Sequence, residues 1–154
     1  MPSKRHETAM KFLSSWDPFT ADSLLAIRTS DCTQGYTPAP GGLKPWTNQQ
    51  VREFYEPLQD VLQHTRFEVH EMVEDAGANK IAIRLSLTTT FKQAEVEPYV
   101  GTYVFFLDFN DTQDKVSRLL EFCDTANTPN LIKKINQAKK VLGRPGIPMP
   151  SGNS

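Results

Sequence analysis

The chain has 154 residues, 17 Lys and Arg against 18 Asp and Glu, and a formal net charge of -1. With 38% hydrophobic residues and a mean hydropathy of -0.46, it has the composition of a soluble globular domain with a sizeable core. That balance excludes a global field drawing in nucleic acid or acidic lipid, and no apolar run reaches the ~20 residues of a membrane span.

Ala9, Phe12, Leu13 and Trp16 recur at helical spacing and predict a first helix that Asp17-Pro18 ends. The residues before it are polar and carry no secretory pattern, so a reduced, cytoplasmic protein is expected. Cys32 and Cys123 then read as small buried thiols rather than a disulfide or zinc site. Thr20 caps a second short helix whose inward stripe runs Ala21, Leu24, Leu25 and then Arg28. Ser30 to Pro45 is rich in Gly and Pro and reads as a loop and candidate lid, with Cys32 to Thr37 as a short edge strand. Thr47-Asn48-Gln49-Gln50 has capping-box form. Val51, Phe54, Tyr55, Leu58, Val61 and Leu62 follow it at helical spacing, with a kink expected at Pro57.

Four strand-like runs come next: Arg66 to Asp75, Lys80 to Phe91, Tyr99 to Phe109 and Lys115 to Thr125. Short polar turns join the first to the second and the third to the fourth, so antiparallel neighbours are expected. Thr128-Pro129 opens a terminal helix with apolar Leu131, Ile135, Ala138 and Leu142. Residues 1–142 therefore read as one domain, and 143–154, rich in Pro, Gly and Ser, as a flexible tail. Helices followed by a meander give an α+β fold. The last two strands are apolar on both faces, one for the helices and the other for a partner subunit.

Phosphate loops, dinucleotide fingerprints, nucleophile elbows and HExxH are all absent from the sequence, and His6, His64 and His70 are scattered. No metal centre is therefore expected. Strand alternation puts Tyr99, Gly101, Tyr103 and Phe105 on one face, and Glu121 with Leu119 and Cys123. A carboxylate on an apolar strand face costs several kcal/mol unless it is paired or opens onto a cavity. A pocket holding a carboxylate and two phenols can move protons. Arg28 has two readings: a helix-edge side chain that snorkels or pairs structurally, or a guanidinium that enters the pocket and holds Glu121 ionised. Tyr99 and Tyr103 either fill the core or line the cavity, and Gly101 between them points to a bend or a close approach. Phe54, Tyr55, Phe91 and Phe105 are core or substrate-binding aromatics.

These segments, taken in order, resemble the SnoaL-like group of the nuclear transport factor two-like superfamily. The resemblance runs from Asp22-Ser23-Leu24-Leu25-Ala26-Ile27-Arg28 through Phe54-Tyr55-Glu56-Pro57-Leu58 and Tyr103-Val104-Phe105-Phe106-Leu107 to Glu121-Phe122-Cys123-Asp124. It covers nearly the whole chain before the tail. It implies a cone-shaped α+β fold in which N-terminal helices and a strongly curved antiparallel sheet enclose one pocket, commonly as a homodimer. The chain is particularly similar to small fungal cofactor-free isomerases and cyclases of secondary metabolism, of the type of the brevianamide-type indole alkaloid semipinacolase. In that type an arginine, two tyrosines and a glutamate form the site, and Arg28, Tyr99, Tyr103 and Glu121 match them. The implied reaction is a semipinacol rearrangement of a 3-hydroxyindolenine to a spiro-indoxyl. Glu121 would accept the hydroxyl proton, Arg28 would hydrogen-bond the group gaining electron density, and the tyrosines would orient the substrate. A cyclase or isomerase of a polyketide or meroterpenoid, and a non-catalytic ligand-binding dimer module, are the other readings. The partners expected are a small-molecule substrate and a second copy, with no nucleic acid and no membrane.

Overall fold

Helix α1 (Lys4–Ser14) begins where the Ser3 hydroxyl accepts a hydrogen bond from the His6 amide, and it buries Ala9, Phe12 and Leu13. The computed structural model describes residues 1–148. Helix α2 (Ala21–Ala26) is capped by Thr20, and α3 (Asn48–Tyr55) by a capping box between Thr47 and Gln50. Strands β1 (Arg28–Thr37), β2 (Trp46–Thr47), β3 (Leu62–Asp75), β4 (Lys80–Phe91), β5 (Tyr99–Phe109) and β6 (Val116–Cys123) form one sheet in the order β2-β1-β6-β5-β4-β3. Helix α4 (Thr128–Val141) follows it.

Alternation fixes the core. Ile81, Ile83, Leu85 and Leu87 of β4 and Tyr99, Tyr103, Phe105 and Leu107 of β5 are buried on the inner face. Phe12 meets Phe105 edge-on at 6.5 Å between centroids, so α1 closes one side of the curved sheet. The expected α+β architecture is observed.

Several local expectations are corrected. The sheet is mixed rather than wholly antiparallel, because β1 runs parallel to β6. The candidate lid is therefore half strand, with β1 filling residues up to Thr37. Helix α2 stops at Ala26, which leaves Arg28 at the start of β1 instead of on a helical face. Helix α3 ends at Tyr55 and passes into one 3₁₀ turn, Glu56–Leu58, since Pro57 has no amide hydrogen to continue the ladder. Leu62 then enters β3, so the apolar spacing beyond Leu58 belongs to a turn and a strand. Helix α4 buries Ile132, Ile135, Ala138 and Lys139, while Leu142 is 42% exposed. Past α4, the Ile147 amide donates to Asn136 Oδ1 at 2.7 Å and Arg144 pairs with Asp60. The rest of the expected tail, 149–154, lies outside the described residues.

Candidate active site

The register of β5 and β6 places the first groups of the site. Phe105 is opposite Glu121 and Tyr103 opposite Cys123, so alternation turns all four toward the helices. They line a mostly apolar cavity of about 210 Å³, walled also by Trp16 just past α1, Phe54 and Tyr55 of α3 and Ile132 of α4. The space far exceeds the ~10–15 Å³ that one water needs.

Glu121 is 6% exposed. Its carboxyl has no hydrogen-bond or ion-pair partner among the described residues. Burial pushes its pKa up to about 8, and the Arg28 charge only partly offsets this. At neutral pH it is mostly an uncharged acid. Such a group presents a proton donor and a proton acceptor on adjacent oxygens.

Arg28 does not enter the cavity wall or pair with Glu121. Its Nε donates to the Leu24 carbonyl oxygen at 3.0 Å, and its guanidinium carbon lies 5.4 Å from the Phe12 ring centroid. Both Nη atoms are buried without a partner among the described residues. The expectation that Arg28 holds Glu121 ionised gives way, because desolvation outweighs a charge that is not in contact.

Tyr99 lies just behind the cavity, and its hydroxyl is 2.8 Å from that of Tyr103, which lines it. Burial raises both phenols above their ordinary pKa, so both stay protonated. The close approach expected at Gly101 is present. A Cβ there would lie 2.8 Å from Tyr99 Cζ and 3.0 Å from Tyr103 Cε2. Gly101→Ala is expected to cost about 1–3 kcal/mol of stability by forcing these rings apart. Urea denaturation checks this, and an unchanged midpoint would contradict the tight contact. Of the four aromatics expected to be core or substrate-binding, Phe54, Tyr55 and Phe105 line the cavity, whereas Phe91 is buried in the core outside it.

Sequence reasoning missed Gln34 and Tyr36. Tyr36 is the neighbour of Glu121 across the parallel β1–β6 pair and lines the cavity. Gln34 is fully buried; its Nε2 donates to the Tyr36 hydroxyl at 3.0 Å and to the Tyr55 hydroxyl at 3.2 Å. The alternation Cys32, Gln34, Tyr36 was the available signal. Burial raises the pKa of Tyr36 and Tyr55, and the nearby Glu121 adds to it. Burial likewise pushes Cys123 up to about 12, which leaves a poorly nucleophilic thiol on the wall. Among the described residues no three His, Cys, Asp or Glu side chains converge as a metal site requires, and no helix is long and apolar enough to cross a membrane.

No family model matches the chain. It is 30% identical over 140 residues to the monooxygenase dmxR10 of a Cryptosporiopsis species, covering 90% of this chain and 91% of that one. It is 26% identical to the austinoid biosynthesis clusters protein J of Emericella nidulans, covering 93% and 90% of the two chains. Among solved structures, PrhC from Penicillium brasilianum superposes with a TM-score of 0.76 at 27% identity, covering 90% of this chain and 93% of that one. The BvnE pinacolase from Penicillium brevicompactum gives a TM-score of 0.74 at 22% identity, covering 85% and 90%. A SnoaL-like polyketide cyclase from Shewanella denitrificans gives 0.68 at 8% identity, covering 86% and 98%. The last two likenesses are of fold alone. From a relative 30% identical and alignable over nine-tenths of both chains, the chain belongs to the family of the monooxygenase dmxR10, with relatives in fungal secondary metabolism, and its fold is the SnoaL-like, nuclear transport factor two-like one.

Proposed function

We propose that this chain is an acid–base isomerase of secondary metabolism, in which Glu121 relays a proton on an oxidised, largely apolar polycycle. The observation that carries this reading is a buried Glu121 carboxyl that opens, without a partner among the described residues, into a mostly apolar cavity edged by phenols. The specific reaction is the semipinacol rearrangement of a 3-hydroxyindolenine to a spiro-indoxyl.

In that step a carbon substituent migrates with its electron pair from C3 to C2. The C=N π electrons collect on nitrogen, which takes a proton, while the C3 hydroxyl loses one and becomes a carbonyl. One neutral carboxyl serves both ends: its O–H protonates the nitrogen and its other oxygen accepts the hydroxyl proton. Glu121 leaves the reaction in the protonation state in which it entered. No cofactor is consumed in this balance. Tyr103, braced by Tyr99, orients the substrate from the adjacent strand. Arg28 acts at a distance, its charge lowering the cost of any carboxylate formed.

A second reading keeps the same proton chemistry and changes the substrate to a polyketide or meroterpenoid. It is favoured by the austinoid-cluster relatives and by the lack of an Arg28–Glu121 contact. Incubation of the purified chain with each candidate substrate, with and without oxygen, tests both. A product of unchanged mass formed equally without oxygen supports isomerisation. A product heavier by one oxygen atom, with oxygen uptake, matches the relatives' monooxygenase name and contradicts the proposal.

We also propose that the chain is a homodimer. Val100, Phe106 and Phe122 are exposed together on the outer face of β5 and β6. Sedimentation should give a dimer, with Phe106→Asp combined with Phe122→Asp shifting it to monomer. A monomeric parent protein at micromolar concentration would contradict this.

A further inference from the structure

We infer that Tyr36 and Tyr55 form a paired donor site for a substrate oxygen that gains negative charge, with Gln34 turning their hydroxyl hydrogens toward the cavity. The inference rests on the acid–base reading above and names what the substrate must carry: an oxygen able to become an enolate, phenolate or alkoxide beside the group that exchanges a proton with Glu121.

Gln34 Nε2 has two N–H bonds, and the structure gives one to each phenol oxygen, at 3.0 and 3.2 Å. A phenol oxygen that accepts one hydrogen bond still has its own O–H to donate. The two hydroxyl oxygens are 3.5 Å apart, beyond the usual 2.5–3.0 Å of an O–H···O bond, so neither hydrogen is firmly committed to the other ring. Glu121 takes neither hydrogen bond among the described residues. Among the described residues the two O–H donors on the cavity wall therefore have no acceptor other than each other across that long 3.5 Å contact. A single substrate oxygen at about 2.7 Å from each would bridge them. Donors preorganised in a dry wall are the arrangement that stabilises developing negative charge.

The rigidity of the pair has a local cause. Gln34 is fully buried on β1, and Tyr55 ends α3 with its ring packed edge-on against Trp16 at 5.5 Å and Phe19 at 5.7 Å. Tyr36 is held against Trp46 at 5.4 Å. Neither ring has to reorganise to receive an oxygen. Because burial keeps both phenols protonated, they remain donors throughout the working pH range.

The probe is para-nitrophenol, whose anion is coloured. Binding to the full chain is measured across pH, and the readout is the preference for the anion over the neutral phenol. Tyr36→Phe and Tyr55→Phe are each expected to lower that preference about tenfold or more, as loss of a hydrogen bond to a charged group would. Gln34→Glu replaces the donor with an acceptor for both phenols and should abolish the preference. Gln34→Met, which removes the donors at similar length, gives the same readout if the glutamate variant does not fold. An unchanged preference in the two phenylalanine variants overturns the inference. So does a Gln34→Glu variant that behaves like the parent, since the amide oxygen would then be what meets the phenols. Glu121→Gln removes a carboxylate that opposes negative charge beside both phenols, so it should hold or raise the anion preference rather than lower it. Failure here therefore leaves the Glu121 reading standing, and failure of that reading shows separately as unchanged turnover in Glu121→Gln.

Discussion

Glu121→Gln is expected to lower turnover by roughly 10²–10⁴-fold while substrate affinity changes by no more than a few-fold. Glutamine keeps the shape, one donor and one acceptor, so the cavity and its contacts survive. It cannot pass a proton through its two ends. The drop should therefore fall on kcat rather than on binding, which single-turnover kinetics and calorimetric titration separate. The pH profile sharpens the prediction. With the protonated carboxyl as the working form and a pKa of about 8, activity should be level at neutral pH and fall as pH rises through 8. A profile that instead rises through that range would mean the ionised carboxylate does the work. Full activity in Glu121→Gln would remove the mechanism.

The same variant should change stability in a pH-dependent way. Folding raises the Glu121 pKa from 4.5 to about 8, chiefly by desolvation. The folded state then holds a proton that the unfolded chain releases. The contribution of Glu121 to stability is complete below pH 4.5, declines as pH rises from there, and is gone once pH passes 8. The full swing corresponds to something on the order of 5 kcal/mol. Glutamine does not titrate, so Glu121→Gln should gain on the parent protein across that window and exceed it in stability at pH 9. Asp17 and Asp108 have the opposite sense. Each is raised by burial, but His64 and Arg66 hold Asp17 low overall, and Arg118 and Lys80 do the same for Asp108. Both residues are common to the two proteins, so they cancel in the difference. Denaturant midpoints at pH 4.5, 7 and 9 check the result, and a parallel pair of curves would contradict it.

Much of this was legible in the chain itself, for a definable reason. Tyr99, Tyr103, Phe105 and Glu121 sit on long, regular strands, where a period of two assigns faces without knowledge of the partners. Gly101 marked a close approach because nothing larger fits beneath Tyr99. Where a second period overlapped, the reading failed. The helical spacing of Leu24, Leu25 and Arg28 ran past the true end of α2 at Ala26, and that of Leu58, Val61 and Leu62 ran past Pro57 into β3. Gln34 and Tyr36 were hidden for a different reason. They gain their meaning from a parallel pairing of β1 with β6, more than eighty residues away in sequence; alternation along β1 puts them on one face but does not say which strand lies beside it. The missing Arg28–Glu121 contact is of the same kind, since it depends on where two distant elements meet.

Direct titration of the Glu121 side-chain carbon by NMR, in protein labelled with carbon-13 at glutamate and assigned through Glu121→Gln, reads the decisive property. A midpoint near 8, well above the ordinary glutamate range, is the predicted result. A carboxyl already ionised at pH 6 would contradict a neutral acid in that cavity, and with it the proton relay proposed for this chain.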